Sequence, residues 1–285
     1  MPTIHARVFD ARRRLLEAGL SPNEADRDAR LLAEHVLGWD AARYLTLAGD
    51  PEPADFHAKY LPLLARRAER EPVAYITGRQ EFWDMSFEVS AAVLIPRPET
   101  ELIVEAAIEL FPSRDEALTI VDAGTGTGCV AVALARERPA ARLVAVDISE
   151  VALDVARRNA ARHGVADRVH CVQGDLLDPI VGTVDLIVCN PPYVAERDRP
   201  GLQPEVREHE PAIALFGGKD GLHIITRLVG AAPSRLRRGG FLLFEFGFGQ
   251  DVEIEALIAR APDLTLLGLR RDLQGIARTA VAERR

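Results

Sequence analysis

Five short apolar runs restrict the folds open to this chain: Leu118–Val121, Leu143–Val146, Val169–Val172, Leu186–Val188 and Phe241–Phe244. Stretches of helical periodicity, Val130–Arg138, Val151–His163 and Gly221–Leu236, fall between them. An unbroken apolar run this short, bounded by turn residues, reads as a strand covered on both faces. Strands alternating with helices predict a mostly parallel sheet with right-handed crossovers and helices on both sides. The tail adds a helix near Val252–Arg260 and strands near Leu264–Leu267 and Ile276–Ala282. The expected fold is α/β, with a seven-stranded, mostly parallel Rossmann-like sheet.

The segment before the sheet reads differently. Helical periodicity runs from Thr3 to Ala18 and stops at Gly19, a residue suited to a helix C-terminus. Ser21-Pro22-Asn23-Glu24 then combines an N-cap, a proline in the first turn and the acid of a capping box. That helix extends to about Leu37, followed by helices at Ala41–Ala48 and Pro53–Arg70. Ile76–Trp83 and Met85–Val89 are read as two short strands of a hairpin. Beyond them Leu94-Ile95-Pro96-Arg97-Pro98 predicts an extended loop, and Glu99-Thr100-Glu101 opens a helix to about Leu110. The expected organisation is a small helical N-terminal domain at 1–72, a linking β-hairpin at 73–92 and the sheet domain at 93–285.

Charge narrows the possible partners. The net charge is −8, and neither part of the chain is cationic: 1–85 holds 12 basic and 14 acidic residues, 86–285 holds 23 and 29. A direct nucleic-acid substrate is therefore not expected. Cys129, Cys171 and Cys189 are isolated, form no metal-ligand spacing and give no disulfide framework. No metal is expected. The beginning of the sequence lacks a basic-then-apolar signal, and no apolar run approaches the ~18 residues of a membrane span. A cytoplasmic location with no membrane partner is expected.

Two stretches carry chemistry. Asp122-Ala123-Gly124-Thr125-Gly126-Thr127-Gly128 lies between the first sheet strand and its helix, where glycines allow a tight turn and close approach to a ligand. Asp147 ends the next strand, and its carboxylate can accept both hydroxyls of a ribose. A dinucleotide or S-adenosylmethionine would satisfy this arrangement. Asp175, after the third strand, can meet an adenine amino group, whereas Asp185 begins the fourth strand and reads as structural. That strand ends at Asn190-Pro191-Pro192-Tyr193. The prolines stop the ladder and stiffen the turn, while carbonyl oxygens, the Asn190 amide and a tyrosine ring offer a grip on a planar group bearing an NH₂.

Taken with Gly78-Arg79-Gln80-Glu81-Phe82-Trp83 and Leu94–Glu101, these motifs resemble the PrmC/HemK family of peptide-chain release factor glutamine N5-methyltransferases, a class I S-adenosylmethionine-dependent fold. The resemblance covers nearly the whole chain. It implies S-adenosyl-L-methionine as cofactor and, as substrate, the glutamine of the Gly-Gly-Gln motif in class 1 release factors. It further implies that Gly124, Thr125, Gly126, Thr127 and Gly128 hold the methionine part of the cofactor. Asp147 would bind the ribose, Asp175 and Leu176 would lie beside the adenine, and Thr100 would reach the cofactor carboxylate. Asn190, Pro191, Pro192 and Tyr193 would form the glutamine pocket, with Asn190, Pro191 and Tyr193 as the catalytic group and Asn190 also bordering the cofactor. The 1–72 domain would recognise the substrate. Two related activities fit the same motifs: adenine-N6 DNA methylation and ribosomal-protein glutamine methylation.

Overall fold

The computed structural model describes residues 2–285. Contacts divide the chain into two compact units, one running to Arg79 and including Gln203–His209, the other comprising Gln80–Leu202 and Glu210–Arg285.

The first unit is helical: α1 (Ile4–Glu17), α2 (Pro22–Leu37), α3 (Ala41–Leu47), α4 (Phe56–Ala68) and α5 (Val73–Thr77). The capping box forms as its sequence implies. Glu24 N–H donates to Ser21 Oγ at 3.3 Å, and Ser21 N–H donates to the Glu24 carboxylate at 3.0 Å. Leu15, Leu32, Phe56 and Tyr60 are buried in the core. The Tyr60 hydroxyl, which a dry core would leave unpaired, donates to Ala29 C=O at 2.8 Å. A second buried polar group is ionic. Arg67, 3% exposed, lies between Asp28 (2.7 Å) and Glu205 (2.8 Å), and Arg70 binds the same Glu205 at 2.8 Å. Glu205 belongs to the short helix Pro204–His209, so this ion cluster ties that distant stretch into the helical unit.

The hairpin starts later than its apolar residues suggest. Ile76 and Thr77 complete α5, which Gly78 ends at φ +71°. Only Arg79–Phe82 (β1) and Met85–Glu88 (β2) form strands. Their turn uses Trp83 and Asp84, both with positive φ, as a tight two-residue hairpin requires. Glu101 supports it by accepting from Trp83 N–H at 2.8 Å.

In the second unit, α6 (Glu101–Leu110) follows a 3-10 turn at Pro98–Thr100. Then come β3 (Thr119–Ala123), α7 (Cys129–Glu137), β4 (Arg142–Asp147), α8 (Glu150–Arg162), β5 (Val169–Gln173) and β6 (Val184–Cys189). After α9 (Pro204–His209) and α10 (Ala212–Leu215) the chain forms α11 (His223–Arg235), β7 (Leu236–Glu245), α12 (Asp251–Ala259), β8 (Leu264–Arg271) and β9 (Ala277–Arg284). The seven strands lie in the order β5-β4-β3-β6-β7-β9-β8, parallel except for β9. Side chains alternate across the sheet. Leu186 and Val188 of β6 enter the core under α6 and α7, while Ile187 and Cys189 enter the one under α11 and α12.

The strand order reverses at β3, which has β4 on one side and β6 on the other. At such a reversal the connections leave in opposite directions and open a crevice beyond the carboxyl ends of the strands. Here those ends are Ala123, Asp147 and Cys189. Asp185, at the opposite end of β6, is structural: it accepts from Thr119 N–H at 2.7 Å and pairs with Arg237 at 2.5 Å.

Candidate active site at the carboxyl edge of the sheet

The glycine loop is wound over the end of β4. Val146 C=O accepts from both Gly124 N–H (2.8 Å) and Thr125 N–H (2.9 Å). Asp147 is held by one backbone donor on each oxygen, Gly126 N–H and Ser149 N–H, both at 2.9 Å. A carboxylate has about four acceptor positions, so Asp147 retains capacity for a ligand's hydroxyls. Beneath the loop, Asp122 accepts from Thr125 Oγ1 at 2.6 Å and from Ala131 N–H at 3.2 Å. Burial still raises its pKa to about 6, because desolvation outweighs those two hydrogen bonds and nearby Asp147 adds repulsion.

Loop and strand ends border a cleft with about 1230 Å³ of open space, mouth included. Its lining mixes polar residues, Asp147 and Ser149 among them, with the apolar side chains of Val130, Ile148, Leu176 and Ile224. This mixture suits a nucleoside-bearing ligand: the carboxylate for ribose hydroxyls, the apolar side chains for a flat base. The donor set fits a ligand with positive charge such as S-adenosylmethionine: the lining contains Asp122, Asp147 and Asp175, and its one cation among the described residues, Arg227, is paired with Asp175.

Of the residues singled out from sequence, Thr100, Gly124, Thr125, Gly126, Asp147, Asp175, Leu176, Asn190 and Pro192 line this cleft. Asp175 is paired with Arg227 at 2.8 Å. Leu176 adopts φ +49°, an unusual conformation for a branched side chain and one that concentrates at functional sites. Thr127 and Gly128 stand back from the cleft. Thr127 C=O accepts from Asn159 at 2.9 Å, and a Cβ on Gly128 would lie 3.0 Å from that of Ala156, so both join the loop to α8. Pro191 is buried in the turn.

Behind Asn190 and Tyr193 lies a residue that sequence reasoning passed over. Glu245, at the end of β7 and 1% exposed, accepts from Tyr193 Oη at 2.8 Å and from Thr100 Oγ1 at 2.6 Å. Thr100 Oγ1 in turn accepts from Asn190 Nδ2 at 2.9 Å. The signal was a lone carboxylate closing an apolar strand, Phe241-Leu242-Leu243-Phe244-Glu245. Burial raises the Glu245 pKa, and burial beside Glu245 pushes the Tyr193 hydroxyl well above its ordinary value, so Tyr193 stays protonated. The cleft lips were also unforeseen: Leu94 and Pro96 on one segment, Pro211, Ile213 and Ala214 on another. Glu210 joins them, accepting from Ile95 N–H at 3.2 Å and pairing with Arg97.

Residues 10–78 match the PrmC N-terminal domain family, and 100–203 match the methyltransferase small domain. Release factor glutamine methyltransferase of Cereibacter sphaeroides is 43% identical over 92% of this chain and 91% of that protein. The Koribacter versatilis enzyme of the same name is 40% identical over 97% of both. The Thermus thermophilus 16S rRNA N2 G1207 methyltransferase, 18% identical, aligns 73% of this chain with 50% of that one at a TM-score of 0.50, a likeness of fold alone. The chain belongs to the release factor glutamine methyltransferases and is an S-adenosylmethionine-dependent protein-(glutamine-N5) methyltransferase.

Proposed function

We propose that Asn190, Pro191, Pro192 and Tyr193 hold the glutamine of a Gly-Gly-Gln motif in a class 1 release factor and present its side-chain nitrogen for methylation, in support of translation termination. The observation that carries this assignment is the position of Asn190: first residue beyond the β6 ladder, on the wall of the cleft that Asp147 also lines. In the same reading Asp147 takes the ribose, Asp175 and Leu176 flank the adenine, and Gly124, Thr125 and Gly126 follow the methionine part, with Thr127 and Gly128 setting the loop's shape. Thr100 lines the cleft, but its one hydroxyl proton goes to Glu245, so it is not assigned the expected hydrogen bond to the cofactor carboxylate.

S-adenosylmethionine, when bound, supplies an electrophilic methyl group on a positively charged sulfur. The chain supplies the orientation. An amide nitrogen is a weak nucleophile because its lone pair is delocalised into the carbonyl. Asn190 Oδ1 and the Pro191 C=O, which takes no part in the sheet ladders, accept one N–H each and hold the lone pair toward the cleft. Tyr193 packs against the amide plane. Such placement removes much of the entropic barrier to reaction. The nitrogen then loses a proton once it carries the methyl group, so no dedicated base is assigned.

The helical residues 1–72, joined through 73–92 to the catalytic residues 93–285, are assigned to release-factor recognition; the separate helical core supports that division. The acidic net charge supports a protein substrate over a nucleic acid. No helix among the described residues is long and apolar enough to cross a membrane, consistent with work in the cytoplasm. Asn190→Ala should keep its affinity for S-adenosylhomocysteine by calorimetry while kcat falls on the order of 100-fold or more. Transfer of labelled methyl to purified release factor should vanish when its Gly-Gly-Gln glutamine is replaced by alanine. Retained turnover in the first case, or equal label in the second, would remove this reading.

A further inference from the structure

A side-chain amide can offer a substrate either its oxygen or its NH₂, and only the oxygen suits a glutamine NH₂. Something must set that direction at Asn190. Asn190 Nδ2 lies 2.9 Å from Thr100 Oγ1, and a threonine hydroxyl alone settles nothing, since it can donate or accept. The hydroxyl is constrained from its other side. Glu245 lies 2.6 Å from Thr100 Oγ1 and 2.8 Å from Tyr193 Oη, and as a carboxylate it only accepts. Thr100 has one proton, and the Glu245 contact takes it. Its oxygen therefore shows Asn190 only a lone pair, Asn190 must answer with Nδ2–H, and Oδ1 is left for the substrate.

We infer that Glu245 is a positioning residue which, acting through Thr100, fixes the direction of the Asn190 amide and so makes the pocket select an NH₂ over a carbonyl. This inference rests on the assignment of Asn190 as the acceptor-site residue. Glu245 is buried and does not line the cleft. It works by hydrogen-bond polarity from a neighbouring strand, β7.

The relay needs Glu245 ionised. A protonated carboxyl would hold a donor of its own, release the Thr100 hydroxyl to donate to Asn190, and allow the amide to turn over. The groups facing Glu245 are Thr100 and Glu99 on the turn before α6, Cys189 on β6, Tyr193 after β6 and Arg278 on β9; burial keeps the Cys189 thiol protonated. Arg278 is committed to Asp272 at 2.9 Å. Burial and Glu99 raise the Glu245 pKa, the two hydroxyls and Arg278 lower it, and the balance is upward. Activity should therefore fall as acid protonates Glu245.

The experiment compares the wild type, Glu245→Gln, Thr100→Val and Thr100→Ser on purified release factor. It measures kcat, KM and the pH profile, together with S-adenosylhomocysteine affinity. Glu245→Gln is isosteric but places an NH₂ against one hydroxyl. Thr100→Val keeps the shape and removes the relay. Both should lose kcat by about 10- to 100-fold, and Glu245→Gln, whose site does not line the cleft, should do so at nearly constant cofactor affinity. Thr100→Ser should recover most of what Thr100→Val loses, and the acid limb of kcat should disappear in Glu245→Gln. Failure of the wild type to label the Gly-Gly-Gln glutamine would overturn the substrate reading. Wild-type turnover shared unchanged by Glu245→Gln and Thr100→Val, with the same acid limb, would overturn this inference alone.

Discussion

A carboxylate sealed under the glycine loop makes stability depend on pH in an unusual direction. Asp122 is raised from 3.8 to about 6, so between those values the folded chain holds a proton that the unfolded chain has released. Its contribution is greatest below pH 4, declines as pH rises toward 6, and is level above that. The shift corresponds to roughly 3 kcal/mol across the window. Asp122→Asn should flatten the change in denaturant midpoint between pH 4 and 6, and an unaltered slope would show that another group titrates there. Gly128 makes a separate demand. Its φ of +78° strains any L side chain and a Cβ there would crowd Ala156 at 3.0 Å, so Gly128→Ala should lower stability by about 1–3 kcal/mol, read as a fall in Tm.

Among the elements, the buried ion cluster of the helical unit joins α2, α4 and α9. Arg67→Ala would leave Asp28 and Glu205 without their shared buried partner. Arg70 still reaches Glu205, and Arg27 lies 2.9 Å from Asp28, so the expected loss is at the low end for a broken buried pair, about 3 kcal/mol. Equilibrium denaturation checks it, and a loss below about 1 kcal/mol would mean the outer pairs suffice. Elements with local causes were legible in sequence. The capping box of α2, the glycine loop, Asp147 and the strand ending at Asn190 each follow from neighbouring residues. α9 and α10 were missed because Pro204–His209 and Ala212–Leu215 are too short to show periodicity. α9 gains its hold from Arg67 and Arg70, well over a hundred positions away. The first hairpin strand was begun too early because Ile76 and Thr77 favour a strand by propensity, while Pro72 and Gly78 bound a helix there. Glu245 escaped for a related reason: its partners are 145 and 52 positions distant, and nothing beside it announces them.

For the whole molecule, the two tryptophans offer a separate view of each compact unit. Trp39 packs on the helical core, and Trp83 packs on the core beneath α6 and α7. A smaller unit buries a lower fraction of its surface and is less stable for it. The single-tryptophan variants Trp83→Phe and Trp39→Phe should therefore show separate denaturant transitions, the helical unit melting first. Superimposable curves would mean that the chain unfolds as one. The position of Glu245 has a consequence for anyone who would build this activity elsewhere. Asn-Pro-Pro-Tyr grafted onto the strand of another sheet would bring the turn but not the carboxylate one strand away that gives its amide a direction. The transplant would bind either end of an amide equally and methylate little. The smallest portable unit for that selectivity, leaving the methyl donor's own site aside, is the pair of strands β6 and β7 with the turn that carries Thr100.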